Sequence, residues 1–120
     1  MIGSLDNIID YYHDKLDYVP GHAFALTAGA TVRRTPVDTG ELRGSWTPST
    51  GSPDWSNRGG SIATVARAIR VGVNGYFCTS KSYSRVIEYT GHSPQAPGGM
   101  MRPSIAEWGG NVSEAVRNAP

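Results

Sequence analysis

Proline and glycine cut this chain into short pieces, and that punctuation limits its fold more than any other feature. Pro20-Gly21, Pro36, Gly40, Gly44, Pro48, Gly51 and Pro53 follow one another through the first half. Gly72, Gly75, Gly91, Pro94, Pro97, Gly98, Gly99 and Pro103 do the same in the second. Proline fixes φ and removes a backbone donor, and glycine raises the entropy cost of regular structure. Short elements joined by long loops are the expected result. Together the 15 glycines and 8 prolines make nearly a fifth of the 120 residues. With 38% hydrophobic residues, the chain supplies one small core and one domain, burying roughly two-thirds of its unfolded surface. A domain with this much loop leans on neighbours to order it.

Between the breaks, apolar spacing sets the elements. Leu5, Ile9, Tyr12, Leu16 and Val19 recur at steps of four and three, which predicts a helix over 4–19 with one apolar face. Asp6, Asp10, His13 and Asp17 fall on a neighbouring face, and Ser4 with Asn7 gives an imperfect capping box. Pro20-Gly21 is expected to break or kink this helix. A second helix over 22–34 would bury Phe24, Ala25, Ala28 and Val32. Arg33-Arg34 favour its carboxyl end, and Thr35-Pro36 stop it.

The next segment, Pro36-Val37-Asp38-Thr39-Gly40-Glu41-Leu42-Arg43-Gly44-Ser45-Trp46, has a physical logic of its own. Pro36 biases Thr35 away from helix. Asp38 and Glu41 have capping-box spacing, so 39–44 should form a short helical turn, with Gly40 allowing a tight approach to a sheet. Leu42 would point into the core, and a strand would begin near Ser45-Trp46. These are turn residues serving geometry, a folding signature rather than a reaction centre.

From 47 to 61 the polar, glycine-rich sequence around Trp55 predicts a long exposed loop. Ile69, Val71 and Val73 alternate with Ala68, Arg70 and Gly72, the pattern of a half-buried strand, and Asn74-Gly75 reads as a turn. Residues 83–89 suit a strand or a short helix equally, and 91–99 suit a loop. Pro103 fits the first position of a closing helix over 103–117, with Ile105, Trp108, Val112 and Val116 on one face. The sum is an α+β fold: amino-terminal helices, a small antiparallel β-sheet region over 45–90 with long loops, and a carboxy-terminal helix packed on the sheet.

Charge is uneven along the chain. Residues 1–18 hold four aspartates against Lys15, whereas 33–102 hold nine basic and four acidic side chains. Opposite ends of opposite sign suit contacts between identical subunits, and equally suit two separately solvated faces. Cys78 is the single cysteine, so no internal disulfide forms and a reducing compartment is expected. No apolar run reaches the roughly 20 residues of a membrane span. Nor is the amino terminus basic and then apolar, as a leader would be. A soluble protein made in a cytoplasm, with no membrane partner, is the expectation.

Patterns that carry chemistry are weak. Asp10, His13, Asp14 and Asp17 converge on one helical patch that would suit a divalent cation, but no second ligand-bearing segment accompanies them. A solvated acidic face or a partner contact explains them better. Cys78 with His92 lacks a third, orienting group, and small buried filler is the simpler role for that cysteine. Ser93 lacks the glycine frame of a nucleophile elbow, and Gly59-Gly60 lacks the Lys-Ser/Thr pair of a phosphate loop. Asn111-Val112-Ser113 is a glycosylation sequon inside an expected helix. The eight arginines from Arg33 to Arg102 are spread without clustering beyond Arg33-Arg34, and the pI of about 7.9 falls short of a dedicated nucleic-acid binder. Loose attraction to a passing duplex needs only scattered cations. The sequence predicts no enzyme, no cofactor and no metal site.

The segment 35–46 resembles a hallmark of the tail-completion proteins of long-tailed double-stranded DNA bacteriophages, also called minor tail or head–tail joining (neck) proteins. A helix there runs into Pro-Val-Asp-Thr-Gly and then a Leu-Arg-x-Ser step into a strand, matched by Pro36, Val37, Asp38, Thr39, Gly40, Leu42, Arg43, Ser45 and Trp46. Tyr83-Ser84-Arg85-Val86-Ile87-Glu88-Tyr89-Thr90-Gly91 is similar to the family's aromatic-led segment. Met100-Met101-Arg102-Pro103-Ser104-Ile105 is similar to the start of its closing helix. The matches run from about residue 22 onward; the acidic helix 4–19 and the Gly/Ser-rich loop 47–61 depart from the pattern.

The resemblance implies a virion structural protein that forms a homo-oligomeric ring, sixfold or twelvefold, at the head–tail junction. Its partners would be the connector or head-closure proteins, the tail tube or terminator proteins, and double-stranded DNA passing non-specifically through the lumen. A tail-terminator or head-closure ring is the alternative within that class, and a small DNA-binding accessory protein the alternative outside it. The expected interface elements are the acidic helix with Asp10 and Asp17, the loop 47–61 with Trp55 and Arg58, and the loop 91–101 with Met100 and Met101.

Overall fold

A computed structural model describes the backbone of residues 3–36, 41–90, 96 and 98–119, and their side chains from residue 16 onward except 83, 86 and 90. The elements in order are α1 (Gly3–Arg34), α2 (Glu41–Ser45), β1 (Thr47–Thr50), α3 (Ile62–Ala66), β2 (Gly75–Cys78), α4 (Tyr83–Thr90), α5 (Met101–Ala106) and α6 (Trp108–Asn118). Helices stand at both ends of the described chain around a two-stranded antiparallel sheet, an α+β fold. The molecule is elongated, 61 × 26 × 18 Å. No helix among the described residues is long and apolar enough to cross a membrane.

The two expected amino-terminal helices, 4–19 and 22–34, are one helix of 32 residues with Pro20 inside it. A proline in a helix deletes its own bond to the carbonyl four residues back and costs about 3 kcal/mol, a penalty that packing on both sides of the break offsets. Gly21 is part of that packing. A side chain there would run into the carbonyl oxygens of Ala66 and Ile69, so α3 sits flush against α1 because position 21 has no Cβ. The pair read as a helix break is instead a helix-packing site. Arg33 and Arg34 do occupy the last turn.

Each side of α1 meets a different element. Phe24 packs edge-on against Phe77 of β2, ring centroids 6.3 Å apart, and Val32 packs on the core. The face bearing Ala23, Thr27, Ala30, Thr31 and Arg34 takes α5 and α6. There Asn111 Nδ2 donates to Thr27 Oγ1 at 2.9 Å, and Arg34 donates to Ser104 Oγ at 2.9 Å and to Glu107 at 2.7 Å. The closing helix therefore packs on α1, not on the sheet. It is also interrupted at Glu107, and Pro103 is the third residue of α5 rather than its first.

Its buried face is not the expected one either. Ser104 and Ala115 are fully buried, while Ile105, Trp108 and Val116 are 56%, 43% and 56% exposed. The small side chains of α1 allow a close helix approach that only small partners fill, and this turns the large apolar residues outward.

In the sheet, Thr47 pairs with Cys78 and Thr50 with Gly75. The strand expected over 69–73 is absent. Ser61 caps α3 by accepting the Thr64 N–H at 3.2 Å, and Gly72 at φ +88° turns the chain. Only Ile69 of the alternating set is buried; Val71 and Val73 are exposed. The strand starts at Gly75, read from sequence as a turn. The expected loop 47–61 is shortened likewise, because 47–50 form β1 and Trp46 lies just before it. Residues 83–89, which suit a strand or a short helix by sequence, fall in helix α4 (Tyr83–Thr90).

Two strands alone are marginal in water, and the core steadies them. Leu42, Trp46, Ala96 and Met100 are buried together, with Val32, Phe77, Ile87 and Met101 against them.

Candidate assembly surface

The motif segment anchors the core from the end of α1. Trp46 stacks on Phe77 with centroids 5.1 Å apart and planes 9° from parallel. Its indole Nε1–H donates to Thr35 Oγ1 at 2.9 Å, and that hydroxyl donates to the carbonyl of Thr31 at 2.7 Å. Arg43 donates to the Thr35 carbonyl at 2.8 Å, and Ser45 Oγ donates to the Leu42 carbonyl at 2.7 Å. Thr35, Leu42, Ser45 and Trp46 are all buried, so these residues set geometry and are not offered to a ligand. Val37, Asp38, Thr39 and Gly40 lie outside the described residues, and with them the capping role of Asp38.

Glu88 is the polar centre that sequence reasoning missed. Its carboxylate accepts the backbone N–H groups of Met100 at 3.1 Å, Met101 at 2.7 Å and Arg102 at 3.0 Å, and the Arg102 Nε–H at 3.1 Å. Arg102 also donates to the carbonyl of Glu88, and its guanidinium lies 4.6 Å over the Tyr89 ring. Helix α5 has no capping side chain of its own, so a residue from α4 satisfies its first backbone donors. Burial pushes the Glu88 carboxyl up; the bonds from Met101, Arg102 and Met100 outweigh it and hold it below the ordinary glutamate value. Gly99, at φ +94°, passes so close that a Cβ would strike this carboxylate. Glu88, the single acidic residue in the sequence of α4, was the available signal.

This bridge corrects one expected interface residue. It draws residues 100–102 onto α4 and turns Met100 inward, where it is 1% exposed, so Met100 is core and not contact surface. Met101 is half-buried against the same core, its sulfur accepting from Thr31 Oγ1 at 3.7 Å.

Other expected interface residues lie on the surface. Trp55 is 58% exposed, and Arg58 pairs with Asp54 at 2.9 Å. Their loop is pegged by Asn57, which adopts φ 62°. Asn57 accepts from the Ser80 N–H at 2.8 Å and donates to Ser80 Oγ at 2.6 Å. Asp17 lines a cleft of about 380 Å³ between α1 and α3, with Tyr18, His22, Arg67 and Arg70. Tyr18 and His22 share a 2.9 Å hydrogen bond there. The side chain of Asp10 lies outside the described residues.

Cys78 is buried, and burial pushes its thiol up, away from the thiolate that a nucleophile needs. His92 and Ser93 lie outside the described residues. Among the described residues, no three His, Cys, Asp or Glu side chains gather as metal ligands would.

The remaining surface feature is apolar. Ile105, Trp108 and Val116 present large side chains to solvent from one side of α5 and α6, a patch of the kind that marks contact with another macromolecule. Compared with models of protein families, with curated proteins and with solved structures, the chain gives no match.

Proposed function

We propose that this chain is a virion structural protein, a subunit of a homo-oligomeric ring at the head–tail junction of a long-tailed bacteriophage. In that position it joins the tail to the connector and lines the passage for DNA. The observation that carries the reading is the meeting of the three phage-like segments in one core. Leu42 and Trp46 come from the first, Ile87 and Glu88 from the second, Met100 and Met101 from the third. Segments recognised separately along the sequence thus behave as one folding unit, which supports treating them as one signature.

The surface fits a subunit that is covered on assembly. Large apolar side chains stand outside on α5 and α6, and Trp55 stands outside on a loop.

The reading is tested by placing a stop codon in this reading frame, in the genome that carries it, and viewing the lysate by electron microscopy. Separate DNA-filled heads and complete tails are expected, with joining restored when the protein is supplied from a plasmid. Normal joined particles without the protein would overturn the reading.

A further inference from the structure

Helices α5 and α6 bury the wrong side for a helix whose packing ends within its own chain. At about 100° per residue, Ser104, Asn111 and Ala115 form the face against α1, and Ile105, Val112 and Val116 lie a quarter turn away. Trp108 falls between the two. Arg102 and Arg117 border the outward apolar stripe on its far side. Glu107 and Glu114 fall beyond the opposite edge of the buried face, where Glu107 is held by Arg34 at 2.7 Å. The exposed stripe is therefore apolar with a basic margin, on which Arg102 is already paired with Glu88 and Arg117 stands exposed.

The chain carries a second stripe of the same length. Residues 5, 9, 12 and 16 share one side of α1 by their spacing, and Leu16, at its end, is 57% exposed. Positions 6, 10 and 17, all aspartate, run along one margin of it. From 5 to 16 and from 105 to 116, each stripe spans about 16 Å of helix at 1.5 Å per residue. Each has its charged margin on the same hand, one acidic and one basic. Two facing helices bring margins of the same hand together only when they run antiparallel.

We infer that the Ile105–Val116 stripe of one subunit receives the first half of α1 of a second copy, running antiparallel to α6. This rests on the reading of the chain as a ring subunit, and it names the two faces that meet. Because donor and acceptor stripes differ, the contact is heterologous: it repeats head to tail and closes into a ring when the rotation allows. Trp108 sits at the edge of the acceptor stripe nearest α1 as its largest side chain, the residue type that most often dominates such contacts. The margins set direction and pairing more than strength.

The experiment uses the full chain. Sedimentation velocity over a range of concentrations compares wild type with Trp108→Asp and Trp108→Ala, circular dichroism showing that each variant is folded. Self-association should weaken by about tenfold or more in both, the loss expected for an aromatic anchor. In parallel, Leu16→Cys and Ile105→Cys proteins, whose positions meet when the two stripes run antiparallel, carry tags of different mass and are mixed and oxidised. A cross-linked species containing one of each is expected, well above what either forms alone. Ile105→Cys linking to itself, or to Val116→Cys, as readily as to Leu16→Cys would overturn the inference in favour of one closing-helix stripe against another. Unchanged association of both Trp108 variants would overturn it too, as would a wild-type chain that stays monomeric throughout. None of these results touches particle joining in the stop-codon experiment, so the contact and the functional reading fail separately.

Discussion

Glu88 Oε1 accepts the backbone N–H of Met101 at 2.7 Å, fastening the start of α5 to α4 across a stretch of chain rich in proline and glycine. Ordinarily a helix start is satisfied by the residue just before it. Here a remote carboxylate does this for three successive N–H groups and adds an ion pair to Arg102. Hydrogen bonds to a charged group contribute about 1.5–3 kcal/mol. Glu88→Ala, which also strands the buried Met100 N–H, should therefore lower stability by about 2–4 kcal/mol in urea titrations.

The same carboxylate gives the fold a pH dependence of definite sign. Its folded pKa lies below the ordinary value, so the unfolded chain takes up the proton first as pH falls. The contribution is complete above the unfolded glutamate pKa of about 4.3 and is lost as pH drops through the lower folded value. Urea midpoints measured from pH 6 down to pH 3 should fall for wild type more steeply than for Glu88→Gln, and equal slopes would remove Glu88 from this role.

Trp46→Phe keeps an aromatic ring against Phe77 but removes the indole N–H that reaches Thr35 Oγ1. Thr35 still donates to Thr31, so only one acceptor loses its partner, and the expected cost is about 1–2 kcal/mol. Trp46→Ala should cost about 3–5 kcal/mol, because it empties the centre of the core. Thermal or urea melts of the two variants, compared side by side, separate the hydrogen bond from the packing.

Much of this core was legible in the sequence, and the reasons are local. Pro36 has a fixed φ, Leu42 and Trp46 are large and apolar, and the turn residues between them leave few other ways to connect a helix to a strand. Pro20 misled because a local rule met tertiary packing: the surface of α3 rewards a continuous helix with a glycine at 21. The strand at 75–78 was hidden by Gly75, a turn former that here sits in a strand with Ile69 and Phe24 packed where its Cβ would be. The orientation of α6 was illegible for a different reason. Periodicity identifies the apolar face of a helix but not whether that face meets its own chain or another.

Gly21→Ala tests the helix-packing role directly. Alanine favours helix over glycine by up to about 1 kcal/mol, so a purely local view expects a small gain. The carbonyl of Ala66 forbids the added methyl without moving α3, so a net loss of about 1–3 kcal/mol is expected. Faster amide exchange confined to residues 62–69 would locate the damage.

Asn57→Ala should release the loop around Trp55. It removes the side chain held by Ser80 and places alanine at φ 62°, a conformation costing a non-glycine residue about 1–2 kcal/mol. Amide exchange across 52–60 should quicken while the α1 core stays protected. Uniform loss of protection would mean that the loop and the core unfold as one unit.

A ring subunit at the head–tail junction must be visible in a cryo-EM map of the particle encoded by the same genome. Density for the 32-residue helix α1 is expected, repeated around the tail axis between the connector and the tail tube. In that map the first half of α1 should lie against α6 of the adjacent copy. Finding the neck fully built from other chains, with no density for this one, would contradict the ring-subunit reading.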